Sequence, residues 1–182
     1  MSETTYSIVG ARPEHVHALP AVELAAASLL RGHAPDSVLA EATDETTFAE
    51  AARHGRLWVA LAAEKPVGFA LVEMLAGDLP HLDELDVEPA HGRRGLGTRL
   101  VRTVCDWAAG SGYAELTLTT FRAVAWNMPF YARLGFVEIP PHALRPELAA
   151  VVREEASRGM PAETRVAMAY RCARRQAGSL PR

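Results

Sequence analysis

The chain has very little lysine and very little cysteine. Lys65 is the only lysine among 182 residues, so the positive charge is almost all arginine. The formal net charge of -3 gives no case for general affinity for nucleic acid. Cys105 and Cys172 are far apart and form no CxxC pair, which argues against a disulfide framework and against a zinc site. We expect neither a metal centre nor a nucleic-acid partner.

Long apolar runs are also missing. No stretch approaches the roughly 20 apolar residues that a membrane span needs. The opening residues, Met-Ser-Glu-Thr-Thr, have neither a basic flank nor an apolar core, so no signal peptide is expected. The 49% hydrophobic and 23% charged residues are ordinary for a soluble globular protein. We therefore expect a cytoplasmic protein without a membrane partner, with a single domain over residues 1–172 and a polar tail over residues 173–182.

Hydrophobic patterning predicts a mixed order of strands and helices. The predicted strands are residues 4–10, 56–63, 67–75, 82–87, 114–120, 136–139 and 165–170. The predicted helices are residues 14–30, 37–53, 97–109, a short helix after Asn127, and 144–158. Asp36 is expected to cap the second helix, and Asn127 the short one. Because antiparallel hairpins precede a strand–turn–helix–strand unit, the fold class is α/β (α+β).

A glycine-rich turn, Gly92-Arg93-Arg94-Gly95-Leu96-Gly97, joins a strand that ends at Val87 to a helix that starts near Gly97. Backbone N–H groups at a helix N-terminus attract anions, and the two arginines add positive charge. The turn therefore predicts a phosphate-bearing ligand.

Two common phosphate-binding motifs do not match this turn. A P-loop needs a lysine before its hydroxyl residue, and here Gly97 is followed directly by Thr98. A dinucleotide fingerprint needs a third glycine, and Leu100 occupies that position.

Residues 85–100 resemble instead the acyl-CoA loop of the GNAT superfamily of N-acyltransferases, with its Arg/Gln-x-x-Gly-x-Gly/Ala pattern after a Val-x-Pro strand end. Residues 127–136 are similar to the Asn…Tyr-x-x-x-Gly-Phe signature of the same superfamily. The chain departs from the pattern at Gly92, which stands at the first Arg/Gln position. Any contact made by that side chain is lost or shifts to Arg93.

The resemblance covers roughly residues 4–139 and a last strand near 165–170. It implies a mixed, mostly antiparallel sheet, flanked by helices and splayed at the cofactor site by a bulge at residues 85–87. It also implies acetyl-CoA as cosubstrate and direct transfer to an amine in a ternary complex. A covalent route through Cys105 is not expected, because the cysteine lies on a helix among residues that are predicted to be buried in the core. The implied cofactor-binding residues are Leu85, Val87, Gly92, Arg93, Arg94, Gly95, Gly97, Thr98 and Asn127.

Catalytic roles follow from the same resemblance. Tyr131 matches the general acid, since a phenol with a pKa of about 10 keeps its proton at neutral pH. A free N–H near Val87 would stabilise the oxyanion. Asn127 is explained equally well as a cofactor contact and as a helix cap.

The general base is less sharply defined. Glu84 is the first candidate, provided that burial or the neighbouring acids raise its pKa. His81 is the second, because an imidazole titrates in the useful range without tuning. Strand alternation places Glu84 and Asp86 on one face and Leu85 and Val87 on the other, although a bulge would change this.

An acidic run precedes the arginine turn and suits a cationic amine acceptor, although a solvated acidic edge explains it equally well. Its members are Asp78, Asp83, Glu84, Asp86 and Glu88. Residues 31–35 and Trp126 are candidates for lining the acceptor pocket, and residues 144–158 for covering it or for forming a homodimer.

Three alternatives stay open. A non-catalytic acyl-CoA-binding or regulatory module could use the same fold. The transferred acyl chain could be longer than acetyl, or the acceptor could be a hydroxyl. The acceptor itself could be a small amine, an aminoglycoside-like antibiotic, a peptide N-terminus or a protein lysine.

Overall fold

The computed structural model describes residues 4–76 and 78–172, so the predicted polar tail at 173–182 lies outside the described residues. The strands are β1 Tyr6–Gly10, β2 Leu57–Ala62, β3 Lys65–Leu75, β4 Leu79–Val87, β5 Glu115–Phe121, β6 Val137–Glu138 and β7 Arg165–Arg171. The helices are α1 Pro13–Val16, α2 Leu19–Ala27, α3 Asp36–Leu39, α4 Glu45–Arg53, α5 Leu96–Gly110, α6 Met128–Arg133 and α7 Pro146–Ser157. None of these helices combines the length and apolar character that crossing a bilayer requires.

The strands form one seven-stranded sheet in the order β1-β2-β3-β4-β5-β7-β6. The β4–β5 pair is parallel, and every other described pair is antiparallel. One face packs against α5 in the larger core cluster, and the other packs against α1, α2 and α4. The predicted α/β (α+β) class with a mixed, mostly antiparallel sheet is confirmed.

The first two predicted helices are wrong in their extent. The helix predicted over 14–30 is divided into α1 and α2, because Pro20 has no N–H to donate within a continuous helix and is tolerated only in a first turn. The helix predicted over 37–53 is divided into α3 and α4. Asp36 lies inside α3 rather than capping it, and Asp44 caps α4 by accepting hydrogen bonds from the N–H groups of Thr46 and Thr47.

β4 starts at Leu79, three residues before the predicted position, and carries a β-bulge. Leu71 of β3 pairs with Glu84 and Val72 pairs with Leu82, so Asp83 is the extra residue. We expected the distortion at residues 85–87, and the register places it at Asp83 instead. An extra residue bends its strand and ends regular pairing.

The bulge marks the point where the sheet opens. β4 pairs with β5 only at His81 with Thr117 and at Leu82 with Leu118. Its pairing with β3 continues to Val87. Residues 83–87 therefore stay paired with β3 and are not paired with β5, which confirms the predicted splay of the sheet.

Gly68 of β3 allows β4 to approach closely at this opening. A Cβ at Gly68 would lie 2.7 Å from the backbone oxygen of Asp86 and 3.0 Å from a Val87 methyl carbon. We expect Gly68→Ala to lower the free energy of unfolding by about 1–3 kcal/mol, because a backbone atom must move to make room. Gly110→Ala is the control, since a Cβ there meets nothing within 4 Å. Denaturant unfolding of both variants tests this, and equal midpoints would contradict the close contact.

Candidate active site

The glycine turn leaves a row of N–H groups without backbone partners. Arg93 and Gly95 have left-handed φ angles of 59° and 75°, and α5 begins immediately afterwards with Gly95 as its N-cap. Within residues 4–76 and 78–172, no backbone carbonyl accepts from the N–H groups of residues 93–98. These groups lie at the positive end of a 15-residue helix. The turn thus has the donors and the dipole of an anion site.

Strand β1 holds this turn in place through Tyr6, which sequence reasoning missed. The Tyr6 hydroxyl lies 3.0 Å from Nδ1 of His91. Arg99 donates a hydrogen bond to the Tyr6 carbonyl at 3.2 Å, and the Arg94 guanidinium lies 5.7 Å from the centroid of the Tyr6 ring. No local motif signals a contact between residues 85 positions apart.

The side chains of β4 divide between the two faces as predicted. Glu84 pairs with Leu71 and Asp86 with Phe69, and both partners belong to the core on the α2 side. The side chains of Leu85 and Val87 pack against the α5-side core instead. The two carboxylates therefore face α2, on the open part of the strand.

The N–H of Val87 points into the opening. Glu88 N–H donates to the Val67 carbonyl of β3 at 2.8 Å. Backbone groups of successive strand residues point to opposite edges of the strand. The Val87 N–H therefore points away from β3, toward the edge of β4 that is not paired with β5.

Tyr131 packs against the α5-side core and is close enough to Glu84 and Asp86 for their charges to act on it. α6 carries it, and its ring packs edge-on against Phe130 and Phe136 at centroid distances of 5.0 and 5.7 Å. Burial raises the pKa of Tyr131 above its ordinary value, and the negative charges of Asp86 and Glu84 raise it further. Tyr131 and Glu84 are 47 positions apart in sequence, yet the charge of Glu84 acts on the phenol. The raised pKa keeps the phenol protonated at neutral pH.

The carboxylates on β4 hold protons more tightly than ordinary acids. Burial raises the pKa of Glu84 well above its usual range, and the charges of Asp86 and Asp83 add to this. Burial, with the charge of Glu23, raises the pKa of Asp86 to about 8. Atom Oδ2 of Asp86 is buried and has no hydrogen-bond partner among the described residues.

His81 occupies a different environment from the one expected. Its side chain is 1% exposed, and its Nδ1 lies 3.0 Å from Oγ1 of Thr117. Burial lowers the pKa of His81 to about 4. The expectation that this imidazole titrates in the neutral range is wrong, because it lies where β4 and β5 are still paired and water is excluded.

Asn127 stands at the N-cap position of α6, but its side chain makes no capping hydrogen bond. The helix starts instead with the Asn127 carbonyl, which accepts from the N–H groups of Phe130 and Tyr131. Interpreting the asparagine as a side-chain cap is therefore wrong. A Cβ at Gly97 would lie 3.6 Å from the Phe130 ring, so the N-terminal end of α6 packs beside the glycine turn.

The acidic run is only partly at this site. Asp78 lies 3.7 Å from Arg145, and Glu88 lies 3.9 Å from Lys65, so both have cationic neighbours elsewhere. Asp83 is exposed at the bulge. Glu84 and Asp86 are the members of the run that face α2 from the opening.

The segments considered for an acceptor pocket do meet in space. Leu30, Ala34 and Val38 pack with Phe121, Val124 and Met160 in a small separate cluster. The rings of His33 and Trp126 meet edge-on at 5.9 Å. α7 is held to the sheet by a bidentate pair in which Arg165 donates to Glu155 at 2.6 and 3.0 Å.

Comparisons with known proteins agree with this geometry. The profile of the acetyltransferase (GNAT) family matches residues 24–136. Human N-acetyltransferase 8 is 38% identical over 86 residues, covering 43% of this chain and 37% of that protein. The similarity thus spans little more than a third of the length of that relative.

Solved structures share the fold. PaiA N-acetyltransferase from Thermoplasma acidophilum, crystallised with coenzyme A, superposes with a TM-score of 0.71 at 15% identity, covering 92% of this chain and 99% of that one. The ribosomal-protein-S18-alanine N-acetyltransferase of Escherichia coli gives a TM-score of 0.65 at 19% identity, covering 97% of this chain and 99% of that one. The profile match and the shared fold agree with the turn, the splay and the tyrosine, and the chain belongs to the acetyltransferase (GNAT) family.

Proposed function

We propose that this protein transfers an acetyl group from acetyl-CoA directly to an amine in a ternary complex. One observation carries the proposal: the free N–H groups of residues 93–98 follow the open end of β4 by a few residues, and the charges on that strand act on the Tyr131 phenol. An anion site, a gap in the sheet and a proton donor are the three features that a phosphate-bearing thioester substrate requires.

The turn suits the pyrophosphate of CoA. Six consecutive N–H groups, from residues 93–98, are available at the start of α5, and Arg93 and Arg94 add charge. A pantetheine arm would extend the β4 edge at Leu85 and Val87, and the side chain of Asn127 is free of a capping role. Acetyl-CoA supplies the acetyl group as an activated thioester.

Glu84 is the better general base. It takes a proton from the acceptor nitrogen as that nitrogen forms a bond to the thioester carbon. The raised pKa of Glu84 lies closer to the pKa of the amine that it deprotonates, which favours proton transfer. His81 is poorly suited, since burial lowers its pKa to about 4 and its Nδ1 faces Thr117. The N–H of Val87 is the proposed donor to the developing oxyanion.

Tyr131 donates a proton to the CoA thiolate when the carbon–sulfur bond breaks. The charge of Glu84 contributes to the raised pKa of the phenol. When Glu84 accepts the amine proton, that charge is neutralised and the phenol becomes a better acid. Deprotonation of the acceptor thereby favours protonation of the leaving group.

Calorimetric titration with acetyl-CoA tests the cofactor. We expect micromolar binding by the wild type and binding at least about 100-fold weaker by a double variant, Arg94→Glu with Gly95→Glu, because two negative charges then face the phosphates. Arg102→Glu on α5 makes the same charge reversal on an exposed residue outside the turn and should bind normally. Release of free thiol with a panel of amines then measures transfer. A folded wild type that binds no acetyl-CoA would contradict the proposal.

A further inference from the structure

A carboxylate from another part of the chain is fixed on the same side of the sheet as Glu84 and Asp86. Glu23 of α2 accepts hydrogen bonds from the N–H and the hydroxyl of Thr43, at 3.0 and 3.2 Å. α2 lies against β3 and β4, on the sheet face that carries Glu84 and Asp86. Two donors from one residue orient the Glu23 carboxylate. Burial raises the pKa of Glu23, and the hydrogen bonds from Thr43 act in the opposite direction.

Asp86 supplies an independent indication of a binding site. Its Oδ2 atom is shielded from solvent and has no hydrogen-bond partner in the part of the chain that is described. Leaving such an oxygen unpaired is costly, more so for a charged group. The charge of Glu23 is one cause of the raised pKa of Asp86, so a cation bound beside both carboxylates would offset their mutual repulsion.

The nearby arginines do not supply that cation. Arg158 forms an ion pair with Glu41 at 2.8 Å, and Arg165 is bound to Glu155. Over residues 4–76 and 78–172, no salt bridge involves Glu23 or Asp86. Thr43 orients the Glu23 carboxylate, and within the described residues neither Glu23 nor Asp86 has a cationic side chain at ion-pair distance.

We propose that Glu23 and Asp86 bind a second cationic group of the acceptor, so that the preferred substrate is an amine carrying another positive charge close to the reacting nitrogen. This inference rests on the proposed function. Glu84 accepts a proton from the nitrogen that reacts. The second ammonium group donates hydrogen bonds to Glu23 and to Oδ2 of Asp86. A monoamine of the same length leaves that oxygen unpaired.

The test compares diaminobutane with butylamine, which differ by one ammonium group. Calorimetric titration of the CoA-saturated protein measures the affinity of each amine without turnover. We expect the wild type to bind the diamine at least about 10-fold more tightly, given the strength of charge pairs in partly buried sites. Initial rates of thiol release with acetyl-CoA should give the same order in kcat/KM.

Glu23→Gln removes the charge and keeps an oxygen that accepts from Thr43. We expect it to weaken diamine binding about 10-fold more than monoamine binding. Glu50→Gln makes the same change on an exposed residue of α4 and should keep the wild-type preference for the diamine. Thermal unfolding of each variant confirms that it is folded.

The inference fails if the wild type binds the two amines equally or binds neither. It also fails if Glu23→Gln weakens both to the same extent. Failure of the proposed function looks different, because it would appear as absent acetyl-CoA binding or absent thiol release. A protein that binds acetyl-CoA and acetylates both amines equally well would contradict only the second-cation site.

Discussion

We expect Tyr131→Phe to lower kcat by about 10²- to 10³-fold, because it removes the proton that the leaving thiolate needs. The affinity for CoA should stay within about twofold, since hydroxyl removal keeps the ring that packs against Phe130 and Phe136. Rates of thiol release and calorimetric titration with CoA measure the two quantities separately. A fall in kcat without a fall in affinity is the signature of a group that acts in the transition state.

The matched control is Tyr113→Phe. Tyr113 packs against Trp107 at a centroid distance of 5.4 Å, on the α5 side of the sheet. The variant loses the same hydroxyl group as Tyr131→Phe. It should keep wild-type turnover. Full turnover by Tyr131→Phe would remove the tyrosine from the mechanism. A wild type that binds acetyl-CoA and acetylates no amine would instead favour the non-catalytic binding module.

The second large effect is expected from Glu84→Gln, which should lower kcat/KM by about 10²- to 10³-fold at neutral pH. A base must be deprotonated to act, and burial and the neighbouring acids raise the pKa of Glu84. Wild-type kcat/KM should therefore rise with pH along an acid limb above the ordinary carboxylate range, and this limb should be absent in Glu84→Gln. The raised pKa of Tyr131 predicts no loss of activity from phenol ionisation up to at least about pH 10.

Asp83→Asn provides a control in the same strand. Asp83 is exposed at the bulge, and its charge is one of those that raise the pKa of Glu84. Removing it should move the acid limb to lower pH and keep catalysis. If the acid limb persists unchanged in Glu84→Gln, a different group takes the acceptor proton.

Some of the site depends on local sequence and was predictable. A left-handed Gly95 before an amphipathic helix is a property of a few consecutive residues, so the turn was found at its correct place. The alternation of Glu84 and Asp86 against Leu85 and Val87 needs only the period of a strand. The Asp44 cap was also readable from local sequence, as a carboxylate directly before a helical run, and was missed.

Other parts of the site depend on contacts between distant segments. His81 and Glu84 are three residues apart and looked like comparable bases. The pairing of β4 with β5 ends between them, after Leu82. His81 is therefore buried beside Thr117, while Glu84 lies on the part of β4 that is not paired with β5. Tyr6 and Glu23 belong to no motif and reach the site only because β1 and α2 pack there.

The sequence by itself determined the strand-turn-helix that forms an anion site, the tyrosine on its short helix and the fold class, because backbone preference and hydrophobic period are local. Only the tertiary structure decided which ionisable groups are buried, which face one another and which lack a partner. Those properties set the pKa values, since desolvation and nearby charge depend on the whole surrounding fold. The proposed choice of Glu84 over His81 as the base, and the proposed joint role of Glu23 and Asp86, follow from that three-dimensional arrangement.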